Sequence, residues 1–143
     1  MEEEYNPKKI EKKWQKKWEE KDTYRYKGGK GEVFAIDTPP PTVSGDLHFG
    51  HTYGNTLTDF QARFQRMRGK DVYFPFGYDN NGIASERLTE KELEIKHQDY
   101  ERREFQKKVR EVCREYEQDF EDTMKEFAFS MDWNNTYKTI DPE

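Results

Sequence analysis

The sequence predicts an α/β fold in which parallel strands alternate with helices. Three observations carry this prediction: a short apolar run at residues 33–36, an amphipathic helical pattern after it, and a second strand-like run at residues 71–75. Two strands joined by a helix of this length are typical of a parallel crossover. A short helix near the amino terminus and a long amphipathic helix near the carboxyl terminus complete the predicted order of elements.

The amino-terminal helix is predicted directly after an Asn-Pro pair. Ile10, Trp14 and Trp18 recur every four residues among lysines and glutamates, which places the three apolar side chains on one side of a helix. Such a stripe can contact a membrane surface or RNA, but the interspersed glutamates favour packing against the rest of the fold. The glycine-rich residues 23–31 are then expected to form a turn-rich connector.

The most informative stretch follows the first predicted strand, at residues 38–51. It reads Thr-Pro-Pro-Pro-Thr-Val-Ser-Gly-Asp-Leu-His-Phe-Gly-His. The prolines stiffen this loop, and the glycines remove side chains where a ligand must come close. His48 and His51 share one face of the first helical turn, where free backbone N–H groups and the helix dipole attract an anion. The stretch therefore predicts a phosphate site with two imidazoles directed at it.

An amphipathic helix is predicted immediately after the histidines. Its apolar positions recur at intervals of three and four residues: Tyr53, Leu57, Phe60, Phe64 and Met67. Cations near its end suit the helix dipole: Arg63, Arg66 and Arg68. Gly69 is placed to stop the helix. Strand, loop and helix N-terminus thus follow one another as in doubly wound nucleotide-binding folds.

A second loop is predicted where the second strand ends, at Pro75. This loop, residues 76–82, contains the acidic residue Asp79. Open parallel sheets bind ligands beyond the carboxyl ends of their strands. The two loops are therefore expected to face one crevice, with phosphate donors on one side and the carboxylate of Asp79 on the other.

Two more elements are expected in the carboxyl-terminal part. A helix over residues 100–127 carries its apolar side chains on one side: Phe105, Val109, Val112, Tyr116, Phe120, Met124 and Phe127. Residues 133–140 are expected to form an extended segment or edge strand. Cys113, the single cysteine, lies on the apolar side of the helix. One cysteine cannot form an internal disulfide framework or a cysteine-based zinc cluster. It also fits a reducing, cytoplasmic location.

Each candidate site residue also has a simpler structural interpretation. The prolines could form an ordinary rigid turn, and the histidine pair could be surface residues or metal ligands. Asp79 could cap a turn or a helix, and on spacing alone the two interpretations of Asp79 are evenly balanced. Thr42 could be a turn hydroxyl. Asn80 and Asn81 are interpreted as local turn residues.

Residues 38–51 resemble the signature of the class I aminoacyl-tRNA synthetases, whose His-Ile-Gly-His motif matches the final His-Phe-Gly-His here. The Pro-Pro-Pro-Thr-Val-Ser-Gly lead-in is similar to that of the valine, isoleucine and leucine group, and looks most like the archaeal-type valyl enzymes. Further matches cover nearly the whole chain: residues 62–63, 66–69, 74–77, 79–82, 86–87, 131–133 and 139–142. The resemblance implies the first half of a Rossmann-like (HUP-type) parallel-sheet nucleotide-binding domain.

The resemblance also implies roles for individual residues on the ATP side of the site. In the family, an amino acid carboxylate is joined to the α-phosphate of ATP and pyrophosphate leaves. His48 and His51 are expected to bond the phosphate oxygens, on which charge accumulates in the transition state. Gly45 and Gly50 are expected to border ATP, and Gly50 lets adenine lie against the backbone. Mg²⁺ is implied only through the ATP phosphates, and no protein-bound metal is predicted.

The resemblance implies a second set of roles on the amino acid side. Asp79 is expected to receive the ammonium group in a charge-assisted bond. Pro40, Pro41 and Thr42 are expected to line a small aliphatic pocket. The implied activity is ATP-dependent activation of valine and its transfer to tRNA(Val) in a complete enzyme. An isoleucyl- or leucyl-type fragment, and a non-catalytic nucleotide-binding or assembly module that needs a second chain, remain alternatives.

The chain also departs from the family pattern. It lacks the second signature, Lys-Met-Ser-Lys-Ser, and residues 82–86 lack a proline that relatives often carry. Its 143 residues suffice for one domain. Residues 1–31 are therefore expected to form the helix and connector, and residues 32–143 the amino-terminal half of a catalytic domain that ends near the start of the editing insertion. The isolated chain is expected to be weakly active or inactive, and to need a complementary chain that carries the lysine signature.

Composition limits what this chain is expected to do alone. Hydrophobic residues make up 31% and charged residues 38%, so the core is thin, although aromatic residues reach 15%. Half a sheet leaves an unpaired edge and an uncovered face, so marginal stability or self-association is expected. The net charge of −5 argues against a tight grip on tRNA, which is expected to bind through parts not present here. No apolar run is long enough to predict a membrane span.

Overall fold

A computed structural model describes residues 5–141. The helices and strands occur in the order α1 (Pro7–Glu20), β1 (Val33–Ala35), α2 (Phe49–Met67), β2 (Asp71–Tyr73), β3 (Pro75–Tyr78), α3 (Ile83–Glu92), α4 (Arg102–Glu126) and β4 (Asp132–Lys138). Pro142, the last residue of the sequence match, and the first four residues of the amino-terminal unit lie outside the described residues. Within the described part, no helix is long and apolar enough to cross a membrane.

The predicted crossover from β1 through α2 to β2 is confirmed. β1 and β2 pair in parallel, with Val33 opposite Asp71 and Ala35 opposite Tyr73. α2 ends at Met67, just before Gly69, as the spacing predicts. Among the described residues β1 pairs with β2 alone, so its other edge has no neighbouring strand.

The prediction that a loop begins after Pro75 is wrong. Residues Pro75–Tyr78 form β3, which pairs in parallel with β4, and the register shifts between Pro75 and Gly77. Pro75 is compatible with this strand because proline is tolerated at a strand's first residue, where its missing N–H matters least. The partner strand lies far along the chain, so no local pattern marks the pairing. The extended segment predicted at residues 133–140 is confirmed as β4, Asp132–Lys138.

The core lies between the strands and the apolar side of α4. The largest fully buried apolar side chains come from α4 and from residues directly next to the strands: Phe74, Phe120, Met124 and Met131. Cys113 is 2% exposed, as its place in the apolar stripe predicts, and burial raises the pKa of its thiol. Phe127, which follows the last helical residue, is instead exposed.

The apolar stripe of α2 faces solvent. Its side chains are 50–80% exposed, including one at the first helical residue: Phe49, Tyr53, Leu57, Phe60, Phe64 and Met67. The opposite side of the helix carries its two buried residues, Asp59 and Ala62. α2 therefore presents a continuous uncharged surface, which we call the α2 apolar face.

Hydrogen bonds from polar side chains hold α2 against the turn between α4 and β4. The Asp59 carboxylate accepts hydrogen bonds from Arg63 Nε at 2.6 Å and from the Ser130 N–H at 2.7 Å. Arg63 also donates to the Ala128 carbonyl, and Arg66 donates to the Ser130 carbonyl. These arginines were predicted only as cations that suit the helix dipole, but their partners come from a distant segment.

The amino-terminal helix forms as predicted and packs loosely. The Asn6 side chain caps α1 by accepting a hydrogen bond from the Lys9 N–H. Gln15 Nε2 donates to the Lys125 carbonyl at 3.0 Å, and the Trp18 ring lies 5.5 Å from the ring of Tyr24. No described residue of α1 is buried, so these contacts attach the helix to the surface of the fold.

Candidate active site

The two predicted loops meet through their backbones. The Asp79 N–H donates to the Pro41 carbonyl at 3.0 Å, and the Val43 N–H donates to the Asp79 carbonyl at 2.8 Å. Thr42 and Asp79 thus form a parallel bridge across a sequence separation of 37 residues. This bridge continues the strand direction past the end of β3 and sets the proline-rich segment beside the acidic residue.

The Asp79 carboxylate is held from two sides. Oδ2 accepts a hydrogen bond from Thr42 Oγ1 at 3.1 Å, and Oδ1 accepts one from Thr139 Oγ1 at 3.1 Å. Asp79 does not cap the following helix, because α3 begins after Gly82. Each carboxylate oxygen can accept a second hydrogen bond, so the group can still receive a cationic donor. Thr42 therefore has a specific partner in this site and is more than a turn hydroxyl.

Pro40 and Pro41 lie at the same place in the fold. Both are partly buried, and Val43, two residues after Pro41, is completely buried. Because the Pro41 carbonyl accepts from the Asp79 N–H, the prolines are fixed relative to the carboxylate. Their role as walls of an aliphatic pocket stays a prediction.

Asn80 belongs to the site's support, and its interpretation as a local turn residue is wrong. Its side chain is 3% exposed. Asn80 Nδ2 donates to Glu117 on α4, and Asn80 Oδ1 accepts from the Ile140 N–H at 3.2 Å. One signal in the sequence was available, because Glu117 interrupts the apolar side of α4 between Cys113 and Phe120. A charged residue inside such a stripe needs a buried partner.

The two imidazoles cap the start of α2. His48 Nδ1 accepts a hydrogen bond from the Gly50 N–H at 3.1 Å, and His51 Nδ1 accepts one from the His48 N–H at 3.2 Å. The rings stack with their centroids 3.9 Å apart. Because both Nδ1 atoms accept, the proton of each neutral ring lies on Nε2. Each histidine thus offers one N–H donor that its capping role does not use.

This arrangement changes the expected donors of the phosphate site. The backbone N–H groups of His48 and Gly50 already donate to imidazole nitrogens, so they are not free for an anion. Burial, and secondly the neighbouring His48, lower the pKa of His51 from its ordinary value. His51 therefore stays neutral where an ordinary histidine begins to protonate. The Nε2–H groups of the two rings are the donors that can meet an anion.

Local geometry favours glycine at two positions of the motif. A Cβ on Gly50 would lie 3.0 Å from His48 Cε1 and 3.1 Å from His48 Nδ1, so glycine lets the ring close over the helix end. Gly45 has φ +145°, a backbone conformation that other residues rarely adopt, in the turn before His48. Contacts of Gly45 and Gly50 with ATP stay predictions.

The proline-rich segment links the bridge at Asp79 to the imidazole groups. Six residues lead from Thr42, the bridge partner of Asp79, to His48, so the Cα atoms of Thr42 and His48 are at most about 22 Å apart. No hydrogen bond or ring contact among residues 5–141 joins Asp79 directly to the histidines. The bridged loops supply a carboxylate that can receive a cation and two N–H donors that can receive an anion. Such a pair of groups fits a zwitterion beside a phosphate.

This chain is similar to a known protein family and to individual members of it. A family profile described as tRNA synthetases class I (I, L, M and V) matches residues 13–143. The valine–tRNA ligase of Haloarcula marismortui is 59% identical over 143 residues, which is 100% of this chain and 16% of that protein. The valine–tRNA ligase of Rickettsia rickettsii is 49% identical over 140 residues, which is 96% of this chain and 17% of that protein.

A solved structure supports the fold. The LeuRS of Agrobacterium radiobacter K84, in a ternary complex with tRNA and LeuAMS, matches 97% of this chain and 16% of its own chain, with a TM-score of 0.81 and 24% sequence identity. The chain therefore spans about a sixth of the length of the relatives that it matches. The profile match over most of the chain and the Rossmann-like architecture show that this chain belongs to the class I aminoacyl-tRNA synthetases of the isoleucine, leucine, methionine and valine group.

Proposed function

We propose that this chain is the amino-terminal part of the catalytic domain of a valine–tRNA ligase, and that it binds valine and ATP for the formation of valyl-adenylate. The observation that carries the proposal is the bridge between Thr42 and Asp79. It sets a carboxylate beside two prolines, on the segment that leads directly to the stacked histidines. The names of the relatives at 49–59% identity favour valine as the amino acid.

The proposed chemistry follows from the groups at the site. Asp79 receives the ammonium group of valine, and Pro40, Pro41 and Thr42 contact its aliphatic side chain. A carboxylate oxygen of valine then forms a bond to the α-phosphorus of ATP, and the bond from that phosphorus to the pyrophosphate oxygen breaks. His48 and His51 donate their Nε2–H groups to phosphate oxygens that gain charge during this step.

Mg²⁺ would be brought to this site with ATP, whose phosphates would hold it. Within residues 5–141 no group of three histidine, cysteine or carboxylate side chains is arranged to hold a metal ion. The donor set at the helix start consists of two Nε2–H groups, which suit phosphate oxygens and repel a cation. The chain's own contribution is therefore to orient the phosphate and to stabilise its charge.

The remainder of such an enzyme is the proposed partner of the α2 apolar face. The six side chains of this face are all uncharged and are spread along the whole helix, although charged residues make up 38% of the chain. The free edge of β1 also offers backbone groups for a further parallel strand. The proposed occupant is the part of a class I synthetase that carries the lysine signature, on the same chain or on a complementary one. tRNA(Val) is proposed to bind mainly through that part.

An isoleucyl or leucyl activity is the alternative within the family. The LeuRS match at 24% identity supports the fold alone. Valine and isoleucine differ by one methylene, which is worth only about 1–3 kcal/mol in a hydrophobic pocket. The amino acid is therefore assigned from the valine–tRNA ligase relatives and needs a direct test.

A chimeric enzyme tests the proposal. Residues 1–143 replace the matching segment of the H. marismortui valine–tRNA ligase, and amino acid-dependent exchange of pyrophosphate into ATP is measured. We expect exchange with valine, much less with isoleucine or leucine, and little or none from the isolated 143-residue chain.

The control for this experiment is the same chimera with His48→Ala and His51→Ala. Loss of two transition-state donors is expected to reduce exchange by at least about a hundredfold. A folded chimera that prefers leucine or isoleucine, or one that exchanges with none of the three, would refute the assignment. Strong exchange by the isolated chain would show that it does not need the rest of the enzyme for this reaction.

A further inference from the structure

We propose that Glu117 is a positioning residue for the amino acid site: through Asn80 and Thr139 it holds the Asp79 carboxylate in the orientation that receives the ammonium group. This inference rests on the proposed role of Asp79. Glu117 lies on α4, 37 residues from its partner Asn80, and nothing in the loop sequence points to it.

The first step is the hydrogen bond that Thr139 makes to Asp79. Thr139 Oγ1 accepts from the Asn80 N–H at 3.1 Å and lies 3.1 Å from Asp79 Oδ1. A hydroxyl has one proton, and its other possible acceptor, Asn80 Oδ1, is farther away at 3.4 Å. Asn80 Oδ1 already accepts from the Ile140 N–H. The hydroxyl proton of Thr139 is therefore directed to Asp79.

The second step is the orientation of the Asn80 side chain. Its Nδ2 donates to Glu117 Oε1, while its Oδ1 faces the Ile140 N–H. Glu117 as a carboxylate can only accept, so a flipped Asn80 amide would place oxygen against oxygen at one end and N–H against N–H at the other. The negative charge of Glu117 thus selects one of the two amide orientations.

The third step is the burial of Glu117 and Asn80, the two inner members of the network. Glu117 is 5% exposed, and its second oxygen accepts from Lys138 Nζ, which compensates the buried charge. Lys138 ends β4 and directly precedes Thr139, so the ion pair also fixes the backbone that carries the Thr139 hydroxyl. Hydrogen bonds in such a low-dielectric setting are strong when all members are satisfied.

The last step concerns the carboxylate itself. Thr42 holds Asp79 Oδ2 from the proline-rich segment, and Thr139 holds Oδ1 from the end of β4. With both oxygens held, rotation about the Cβ–Cγ bond is restricted before a ligand arrives. A preorganised acceptor loses less entropy on binding than a freely rotating one. The network therefore acts on the affinity for the ammonium group rather than on the affinity for ATP.

The test uses the chimeric enzyme with the substitution Glu117→Gln, which keeps the side-chain shape and removes the charge. We expect the KM for valine in pyrophosphate exchange to rise about tenfold, the effect of weakening one charge-assisted hydrogen bond. The KM for ATP and kcat should stay within about twofold. Glu115→Gln, at an exposed position of the same helix, is the matched control and should change neither constant.

A valine analogue separates positioning from a general loss of structure. 3-Methylbutanoate has the side chain and carboxylate of valine but no ammonium group, so its inhibition constant should be the same in Glu117→Gln and in the unsubstituted chimera. Thr139→Val is the second variant, for use if Glu117→Gln does not fold. It removes only the hydroxyl, at an exposed residue, and should raise the KM for valine in the same way.

The outcomes distinguish an error in the proposed role of Asp79 from an error in the proposed role of Glu117. If Asp79→Asn leaves the KM for valine unchanged, the proposed role of Asp79 is wrong and the inference is wrong with it. If Asp79→Asn raises the KM for valine but Glu117→Gln and Thr139→Val do not, only the positioning role is refuted. Equal weakening of valine and 3-methylbutanoate binding would also refute positioning, since it would show that Glu117 merely supports the pocket.

Discussion

The histidines of the motif use their two ring nitrogens differently. Nδ1 of each ring accepts a backbone N–H at the start of α2, and this leaves Nε2–H for a ligand. The helix end is thereby satisfied and the tautomer is defined by the same contacts. Gly50 makes this possible because any side chain there would crowd the His48 ring. The motif is thus a helix cap that is also equipped with two directed donors.

A pH prediction belongs to His51. Its pKa is lowered from 6.5, chiefly by burial, so between the folded-state pKa and pH 6.5 the unfolded chain binds more protons at this group. The contribution of His51 to the free energy of unfolding is therefore fully present above about pH 6.5 and is lost as the pH falls through the folded-state pKa. NMR titration of the imidazole signals of the isolated chain measures this. His51→Ala assigns the signal, and a midpoint at or above 6.5 would contradict the prediction.

At the scale of elements, polar contacts rather than apolar packing attach α2 to the fold. Asp59 faces inward, and Arg63 and Arg66 reach the turn that follows α4. A helix whose apolar side points to solvent has little hydrophobic surface with which to pack inward. The two hydrogen bonds from Ser130 to Asp59 are therefore expected to contribute strongly to the attachment of α2.

We expect Asp59→Asn to lower the free energy of unfolding of the isolated chain by about 3 kcal/mol, because it removes the charge of a buried carboxylate that accepts hydrogen bonds from Arg63 and Ser130. Urea denaturation followed by circular dichroism measures the change. Glu111→Gln, on the exposed side of α4, is the control and should stay within about 0.5 kcal/mol of the unsubstituted chain. A similarly small change for Asp59→Asn would show that α2 is held in another way.

At the scale of the whole molecule, one apolar helix face is packed and another is exposed. The apolar stripe of α4 packs into the core, whereas the α2 apolar face is exposed and one edge of β1 has no partner among the described strands. Contiguous exposed apolar surface on a soluble domain marks an interaction site or an aggregation hazard. The expected self-association of the isolated chain and its proposed need for a partner thus share one physical cause.

The α2 apolar face gives a prediction at this scale. When the remaining length of the H. marismortui enzyme is supplied as a separate chain, Phe60→Glu should weaken its association with residues 1–143 at least about tenfold, since a charge would be buried without a partner. Analytical ultracentrifugation measures the association. Phe60 is 64% exposed in the isolated chain, so the substitution should leave folding intact.

Gln61→Glu is the matched control for this experiment. It adds the same charge at the next residue, which is exposed but lies beside the α2 apolar face. Association should be nearly unchanged in this variant. Equal affinities for Phe60→Glu and the unsubstituted chain would show that the partner binds elsewhere.

The sequence by itself determined the features that depend on neighbours in the chain. Periodicity placed α1, α2 and α4, and the spacing of two strands around a helix predicted the parallel pairing of β1 and β2. The three-residue spacing of His48 and His51 was enough to put both rings at one helix end. Helical and crossover geometry are local properties, so a local pattern suffices to predict them.

The tertiary structure alone decided the features that join distant segments. The first is the strand at Pro75–Tyr78, which pairs with β4. The second is the buried contact of Asn80 with Glu117, and the third is the exposure of the apolar side of α2. An amphipathic pattern shows that a helix has two sides, but what lies against each side depends on which other elements are there to pack. Hydrogen bonds across tens of residues form only once folding has brought their partners together.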